Sequence, residues 1–406
     1  MAKYIFLCFF PLVLIFLDKT TKRLAILAGA VSFALLIYSH NSLAFLSVFI
    51  YIGYILITYI QAMNISQLVK QILIIITGIL LAAFYTLPAL IFTPLLHNSK
   101  IVVDDLVFPP PLSLLRSKWE GGSIIGGQNL IMSFQIGWAN LIIILISLSV
   151  IIIDFTKSKR RSINWNLLFW FGLLLLSVFM LFPISRWAWG HIPLLINIQF
   201  PYRILAIIMI ETAVLAGILV AKIKKKSSKI FLAVFLTLLA LVGNRHHLLA
   251  RQKNITVTEL KNYHGSYDGS GEFLPSYFDY PTYDKLHASG LSVEKVTIEN
   301  GRIIDFKREL YMTQARVEMY EPGRLFIKRL YFPGWSINVN GKKISEFEKG
   351  NGVWVPLSKG VHEVAAEYKI PAIIKVSRMT TLLVFIILIT LSIIKPKGKN
   401  EKVYAR

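Results

Sequence analysis

The chain has 406 residues, 55% of them hydrophobic and only 16% charged, with a mean hydropathy of +0.60. That balance excludes a soluble enzyme and indicates a polytopic membrane protein. The net charge of +22 sits in clusters between apolar runs, where it reads as cytoplasmic anchoring and not as a nucleic-acid surface.

Apolar runs at 4–17, 24–38, 43–60, 71–91, 138–153, 165–182, 204–220, 230–242 and 379–394 give about nine candidate spans. The first is short against the roughly 20 residues a crossing needs. It lacks a basic n-region and an Ala-x-Ala site, so it makes a poor signal peptide. Cys8, the single cysteine, lies inside it, and the eight histidines show no ligand spacing. Neither a disulfide framework nor a His/Cys metal site is expected. Lys19, Lys22 and Arg23 follow the first run, and Ser39-His40-Asn41-Ser42 separates the second from the third. The loop over 93–137 carries Asp104-Asp105, Pro109-Pro110-Pro111 and a glycine-rich stretch at 121–127. Lys157, Lys159, Arg160 and Arg161 close the fifth run. A loop with Arg186, Trp187, Trp189 and His191 follows the sixth, and the two tryptophans fit an interfacial aromatic belt. Lys222, Lys224, Lys225, Lys226 and Lys229 close the seventh, and Lys395, Lys397 and Lys399 close the ninth.

Counting crossings puts 18–23, 157–161, 222–229 and the tail after 395 on one side, which the positive-inside bias makes cytoplasmic. The loops with His40, Asp104-Asp105 and Arg186 then lie outside, as does everything over 244–377. Lys375 and Arg378, at the outer end of the last span, run against that bias. Met1 also falls outside, immediately before a span, so a preceding section is expected.

Residues 245–370 change character: charged, punctuated by Gly and Pro, and rich in alternating strands. Segments 325–330, 336–339, 352–355 and 362–368 read as short strands. Asn340-Gly341 is a type I′ hairpin signal, and Lys359-Gly360 marks another turn. The expectation is an α-helical polytopic membrane protein with an extracytoplasmic antiparallel β-sandwich inserted before the last span. Its domains are 1–243 with eight spans, 244–377 as the β domain, and 378–406 as the final span and basic tail.

The run Asn197-Ile198-Gln199-Phe200-Pro201-Tyr202-Arg203-Ile204-Leu205 opens the seventh span. Pro201 suits the first turn of a helix, where its missing N–H has no partner in any case. Arg203 then stands at a helix end whose dipole repels cations, and on the outer side of the membrane. A cation disfavoured on both counts needs a partner, and a lipid phosphate is one; snorkelling to headgroups or a neighbouring carbonyl is the plainer reading. Gln199 adds donors and an acceptor nearby. Glu211, eight residues on, is about 12 Å from Arg203 along the helix. It cannot pair with Arg203 and either needs an inward-facing partner or stays protonated, which favours a structural role.

Tyr38-Ser39-His40-Asn41, Ile198-Gln199-Phe200-Pro201-Tyr202-Arg203 and Tyr331-Phe332-Pro333-Gly334-Trp335-Ser336-Ile337-Asn338-Val339-Asn340-Gly341-Lys342 together resemble bacterial 6-pyruvoyl-tetrahydropterin-synthase-related membrane proteins. They are also similar to YfhO-type membrane proteins. The resemblance covers about 20–394, and the Pro-Gly-Trp segment, closed by Gly360-Val361-His362-Glu363-Val364, is its most specific piece. Pterin chemistry would need a zinc-binding histidine set, which is not here. What the resemblance implies is the GT-C superfamily, integral membrane glycosyltransferases that use polyprenyl-phosphate-linked sugars. In that group an acidic residue in the first extracytoplasmic loop acts as base or metal ligand. Here it would belong to an N-terminal section this chain lacks, supplied by a partner chain.

Such transfer needs a carboxylate to activate the acceptor hydroxyl and cations to hold the leaving phosphate. Asp104 and Asp105 are the paired acids available as base, or as holders of a divalent cation; no other cofactor is expected. Arg203 and Arg186 are candidate phosphate contacts, since a planar fork matches phosphate oxygens; Arg116 reads better as a headgroup anchor. His40, Asn41, Gln199 and Glu211 complete the candidate substrate-binding set, with His40-Asn41 also readable as a helix-connecting polar cap. Trp335, Trp354 and Tyr368 read as the core of the β domain. The leading expectation is a plasma-membrane glycosyltransferase, or its C-terminal portion, passing a sugar from a polyprenyl phosphate to a glycan or protein acceptor. The alternative is a non-catalytic scaffold for envelope polymer assembly, and no nucleic-acid partner is expected.

Overall fold

The computed structural model of this protein describes residues 2–96, 106–115, 134–157, 164–192, 195–198, 200–245, 274–278 and 296–394. They form two compact units: one drawn from 1–83, 101–269 and 380–406, the other from 84–100 and 270–379.

The first unit is helical. α1 (Ala2–Asp18) and α2 (Arg23–Ser39) are followed by α3 (Asn41–Ala62) and α4 (Ile65–Leu81). Their ends are written into the sequence. Asn64 caps α4 by accepting from the Gln67 N–H at 3.1 Å, and His40 Nδ1 accepts from the Leu43 N–H at the start of α3, at 3.4 Å. Met63 ends α3 in the left-handed region. Inside, Tyr51 is fully buried and stacks on Phe10 at 4.9 Å, and its hydroxyl donates to the Phe10 carbonyl. Gln71, also fully buried, donates to the Leu17 carbonyl at 3.0 Å. Such polar contacts between apolar helices contribute on the order of 0.6 kcal/mol each.

The run expected to cross at 71–91 is interrupted. α4 stops at Leu81, and α5 (Ala83–Phe92) restarts the helix. The Tyr38 hydroxyl donates to the Leu81 carbonyl at 2.7 Å, occupying an acceptor that a continuous helix would use for the N–H of residue 85. Pro88 inside α5 removes one more ladder donor. α5 belongs to the second unit, where Phe92 meets Phe332 edge-on at 5.5 Å.

The helical unit continues with α6 (Trp138–Lys157), α7 (Trp165–Phe179), the short α8 (Arg186–His191), α9 (Leu205–Lys222) and α10 (Lys226–Gly243). A turn at Pro183–Ser185 leads into α8, bent 95° from α7. Trp187 is exposed, as an interfacial residue would be. Trp189 is not: it is fully buried, its indole N–H bonding the Met180 carbonyl and Ser185 Oγ, each at 3.2 Å. Its position on the inner face of a helix shorter than two turns decided that.

Among the described residues five helices are long and apolar enough to cross a membrane, or up to seven if each broken pair counts as one. The broken pairs are Ile65–Leu81 with Ala83–Leu95 and Trp165–Phe179 with Pro183–His191. α1 and α2, 17 residues each, are apolar but shorter than a full crossing. Hydrogen bonds sort the helix ends into two sets. At one end Tyr54 donates to Asp18 at 2.6 Å, Gln61 to Asn166 at 3.2 Å and Lys222 to Asp154 at 2.6 Å. At the other, Arg203 donates to Ser42 at 3.2 Å and Gln135 to Asn244 at 3.3 Å.

The second unit carries two antiparallel sheets. One has the order β1 (Val296–Ile298), β4 (Gly323–Ile327), β8 (Val353–Leu357), β7 (Glu348–Lys349). The other runs β2 (Gly301–Arg308), β3 (Met312–Met319), β9 (Gly360–Tyr368), β5 (Trp335–Val339), β6 (Lys342–Ile344). Alternate residues of β3, β4, β8 and β9 fill one core shared by both sheets, Val317, Leu325, Val355 and Ala366 among them. The turn between β5 and β6 is the Asn340-Gly341 hairpin, with φ of 51° and 77° as a type I′ turn requires. Trp335 is half-buried and packs on this core, whereas Trp354, expected to belong to it, alternates with Val353 and Val355 and packs on Phe326 on the other face of its sheet. Tyr368 is half-buried against Trp335 and Tyr311. On the surface, the Arg324 guanidinium bonded to Glu299 holds that carboxyl below the usual carboxylate range. α11 (Ala372–Ile393) begins four residues after Tyr368, the last residue of β9.

Candidate functional site

The site is built where the α2–α3 turn meets the segment before α9. After the Leu195–Ile198 turn the chain straightens at Phe200 and re-enters helix through a 3-10 turn at Pro201–Ile204. That turn aims Arg203 back across its own segment. Arg203 Nη1 donates to the Ile198 carbonyl at 2.8 Å and to Ser42 Oγ at 3.2 Å, and the guanidinium lies 5.0 Å from the Phe200 ring centre. Tyr202 stacks on Phe200 and meets Phe134, each at 5.3 Å, which fixes the turn from the other side.

His40 and Asn41 flank the Ser42 contact and are committed to the chain: His40 caps α3, and Asn41 Oδ1 accepts from the Ser42 N–H at 2.8 Å. Thus two segments separated by 161 residues along the chain meet as a half-buried cation beside short polar side chains. Such a niche can present N–H and O–H donors to a phosphate oxygen. Arg186, first residue of α8, lies 5.6 Å from the centre of the Phe108 ring. Asp104, Asp105, Gln199 and Arg116 fall outside the described residues. Among the described residues no group of three or more His, Cys, Asp or Glu side chains could hold a metal ion.

Glu211 lies deeper. It is fully buried in α9; Ser177 Oγ of α7 donates to its Oε1 at 2.9 Å, and its Oε2 has no hydrogen-bond partner among the described residues. The adjacent Thr212 donates to Asn140 of α6 at 2.9 Å, so two neighbouring residues tie α9 to two different helices. The sequence leaves Glu211 either an inward partner or a proton, and does not name the partner. A lone hydroxyl such as Ser177 in an otherwise apolar run is the signal that could have supplied it.

Because one hydroxyl is the only hydrogen-bond partner of this carboxyl among the described residues, an apolar replacement of similar volume should cost little. Glu211→Leu is expected to leave thermal unfolding in detergent unchanged or raised. A fall of more than about 4 °C, roughly 1 kcal/mol for a domain of about 200 residues, would show instead that the carboxyl holds the helices together.

A groove of about 420 Å³ between α3 and α7 is apolar, lined by Ile57, Phe169, Gly172 and Leu176 among others. Ile57 is 15 residues from Ser42 along α3, about 22 Å, so this groove is separate from the Arg203 niche. No protein-family model, curated protein or solved structure matches the chain.

Proposed function

We propose that the chain is an integral plasma-membrane glycosyltransferase of the GT-C type, or the C-terminal portion of one, that takes its sugar from a polyprenyl phosphate at the outer face. The observation that carries this reading is the meeting of Arg203 with the Ser39–Ser42 turn, since both segments belong to the resemblance and both offer donors to a phosphate. Charge supports the orientation. With nine crossings, the basic clusters at 18–23, 157–161, 222–229 and 395–399 share the cytoplasmic side. The Arg203 end of the helical unit and the β domain are then extracytoplasmic. In this reading Arg203, with Arg186, holds the phosphate as the glycosidic bond to it breaks. A carboxylate, Asp104 or Asp105, takes the proton of the attacking acceptor hydroxyl, so the sugar is transferred with inversion.

A second reading has its own support. Arg203 is already bonded to the Ile198 carbonyl, as a residue would be whose work is to pin the bend before α9. The protein is then a scaffold for envelope glycan assembly, with its β domain holding a partner or a glycan. The two readings part on lipid binding. Under the first, the purified protein binds undecaprenyl phosphate, and Arg203→Ala weakens binding at least about 10-fold, the loss of a charge-assisted contact of roughly 1.5–3 kcal/mol. Arg203→Ala also abolishes transfer while the protein stays folded. Native mass spectrometry with undecaprenyl phosphate measures the first effect. Unchanged binding by Arg203→Ala would leave the scaffold reading standing.

A further inference from the structure

On a count of nine crossings Lys375 and Arg378 fall, like Arg203, at the outer end of a span, and the β unit offers a reason for them. β2 and β3 are joined by a tight turn in which the Glu309 N–H bonds the Met312 carbonyl at 2.7 Å, leaving Leu310 and Tyr311 at the tip. Both side chains are exposed, at 72% and 63%. The tip is fastened to the end of β9: the Tyr368 N–H donates to the Tyr311 carbonyl at 2.9 Å, and the two rings stack at 6.0 Å. Tyr368 stands four residues before Ala372, where α11 begins, and α11 is one of the five membrane-length helices. A large apolar pair is thus held at the very end of the unit from which the chain passes into a membrane helix.

Cations outnumber anions near that end, where Glu309 at the base of the tip is paired with Lys307. Arg308, Lys369, Lys375 and Arg378 are exposed, and none forms an ion pair among the described residues. Lys375 and Arg378 are three apart on α11 and so share a face. Neither can be there for the helix, since cations near a helix N-terminus are disfavoured by the dipole. Exposed apolar side chains with unpaired cations on the segments that hold and leave the tip match the region where headgroup phosphates meet acyl chains.

We propose that this end of the β unit is a docking surface for an anionic lipid bilayer. Leu310 and Tyr311 enter the headgroup–acyl boundary, while Arg308, Lys369, Lys375 and Arg378 bind lipid phosphates. The surface holds the β unit against the membrane. This inference needs only that α11 crosses the bilayer; it is independent of the role of Arg203 and of any sugar chemistry.

The full chain, with Cys8→Ser as background, is reconstituted in vesicles carrying lipid spin-labelled high on the acyl chain. A fluorophore is attached at Leu310→Cys or, as control, at Val361→Cys. Val361 is exposed but lies seven residues from Tyr368 on β9, about 23 Å away. In vesicles with about 30 mol% phosphatidylglycerol, the label at 310 is expected to be quenched at least about threefold more than the label at 361. Combining Arg308→Gln, Lys369→Gln, Lys375→Gln and Arg378→Gln, or using phosphatidylcholine alone, is expected to reduce that excess by at least half. Equal quenching at the two positions would overturn the proposal. So would quenching at 310 that ignores both the anionic lipid and the four substitutions.

Discussion

Gly78→Leu is expected to abolish the folded helical unit. Gly78 lies on α4 where α2 crosses it, and a Cβ there would stand 2.8 Å from Phe33 Cδ1 and 2.9 Å from the Ala30 carbonyl oxygen. The ring could turn, but the carbonyl is backbone and moves only if α2 moves. α2 is held at Gly29 by α1 as well as by α4: a Cβ there would meet Phe16 Cβ of α1 at 2.9 Å and Ile74 of α4 at 3.1 Å. Small residues that admit close helix approach are the principal packing device inside membranes, where lipid is as apolar as leucine. Gly78→Ala alone should cost about 1–3 kcal/mol, the usual penalty for overpacking; leucine has no position that leaves the pair together. Thermal unfolding and monodispersity in detergent measure both. Gly217 of α9 is the matched control, because a Cβ there meets nothing within 4 Å. Gly217→Ala should be neutral, or stabilising by up to about 1 kcal/mol through helix propensity. If Gly78→Leu melted like the parent protein, the α2–α4 contact would not be as close as described.

Gly334→Val is expected to unfold the second unit while sparing the first. Gly334 has φ of +111°, a region that side-chain-bearing residues rarely enter. A Cβ there would lie 2.5 Å from Tyr368 Cε2 and 2.8 Å from the Lys369 carbonyl. The position also carries the link between β5 and the end of β9, because the Lys369 N–H donates to the Gly334 carbonyl at 2.8 Å. Backbone strain of about 1–3 kcal/mol adds to the clash. Together they exceed what a small two-sheet unit can absorb from a total stability of about 5–15 kcal/mol. Limited proteolysis should show the β unit lost and a helical fragment retained. Resistance equal to that of the parent protein would mean that the loop relaxes to accept the side chain.

Several features were legible in the residues themselves. The hairpin at Asn340-Gly341 follows from two residues that tolerate positive φ between alternating strands, and the structure has it there. β5, β8 and β9 were found because their apolar positions alternate. β2 and β3 were not, because Gly301–Arg308 and Met312–Met319 carry charged residues on their exposed faces and few apolar residues to mark the inner one. The long helices fall on the apolar runs, although among the described residues only five of them reach membrane length. Hydropathy could not tell one crossing from two shorter helices at 71–91, since a hydroxyl from Tyr38, 43 residues away, takes part in the break.

The candidate site divides in the same way. From the sequence alone came the membrane class, the basic clusters and the conclusion that Arg203 and Glu211 require partners, because a charge in an apolar helix is costly wherever that helix packs. Which partners they have was decided only by the fold. Ser42 lies 161 positions from Arg203 and Ser177 lies 34 from Glu211. No local rule selects one serine from the others in the chain. Turn chemistry, capping and hydropathy act over a few residues and are written where they act. A hydrogen bond between helices depends on the crossing of two surfaces, and that exists only once glycines such as Gly29 and Gly78 have let the helices come together.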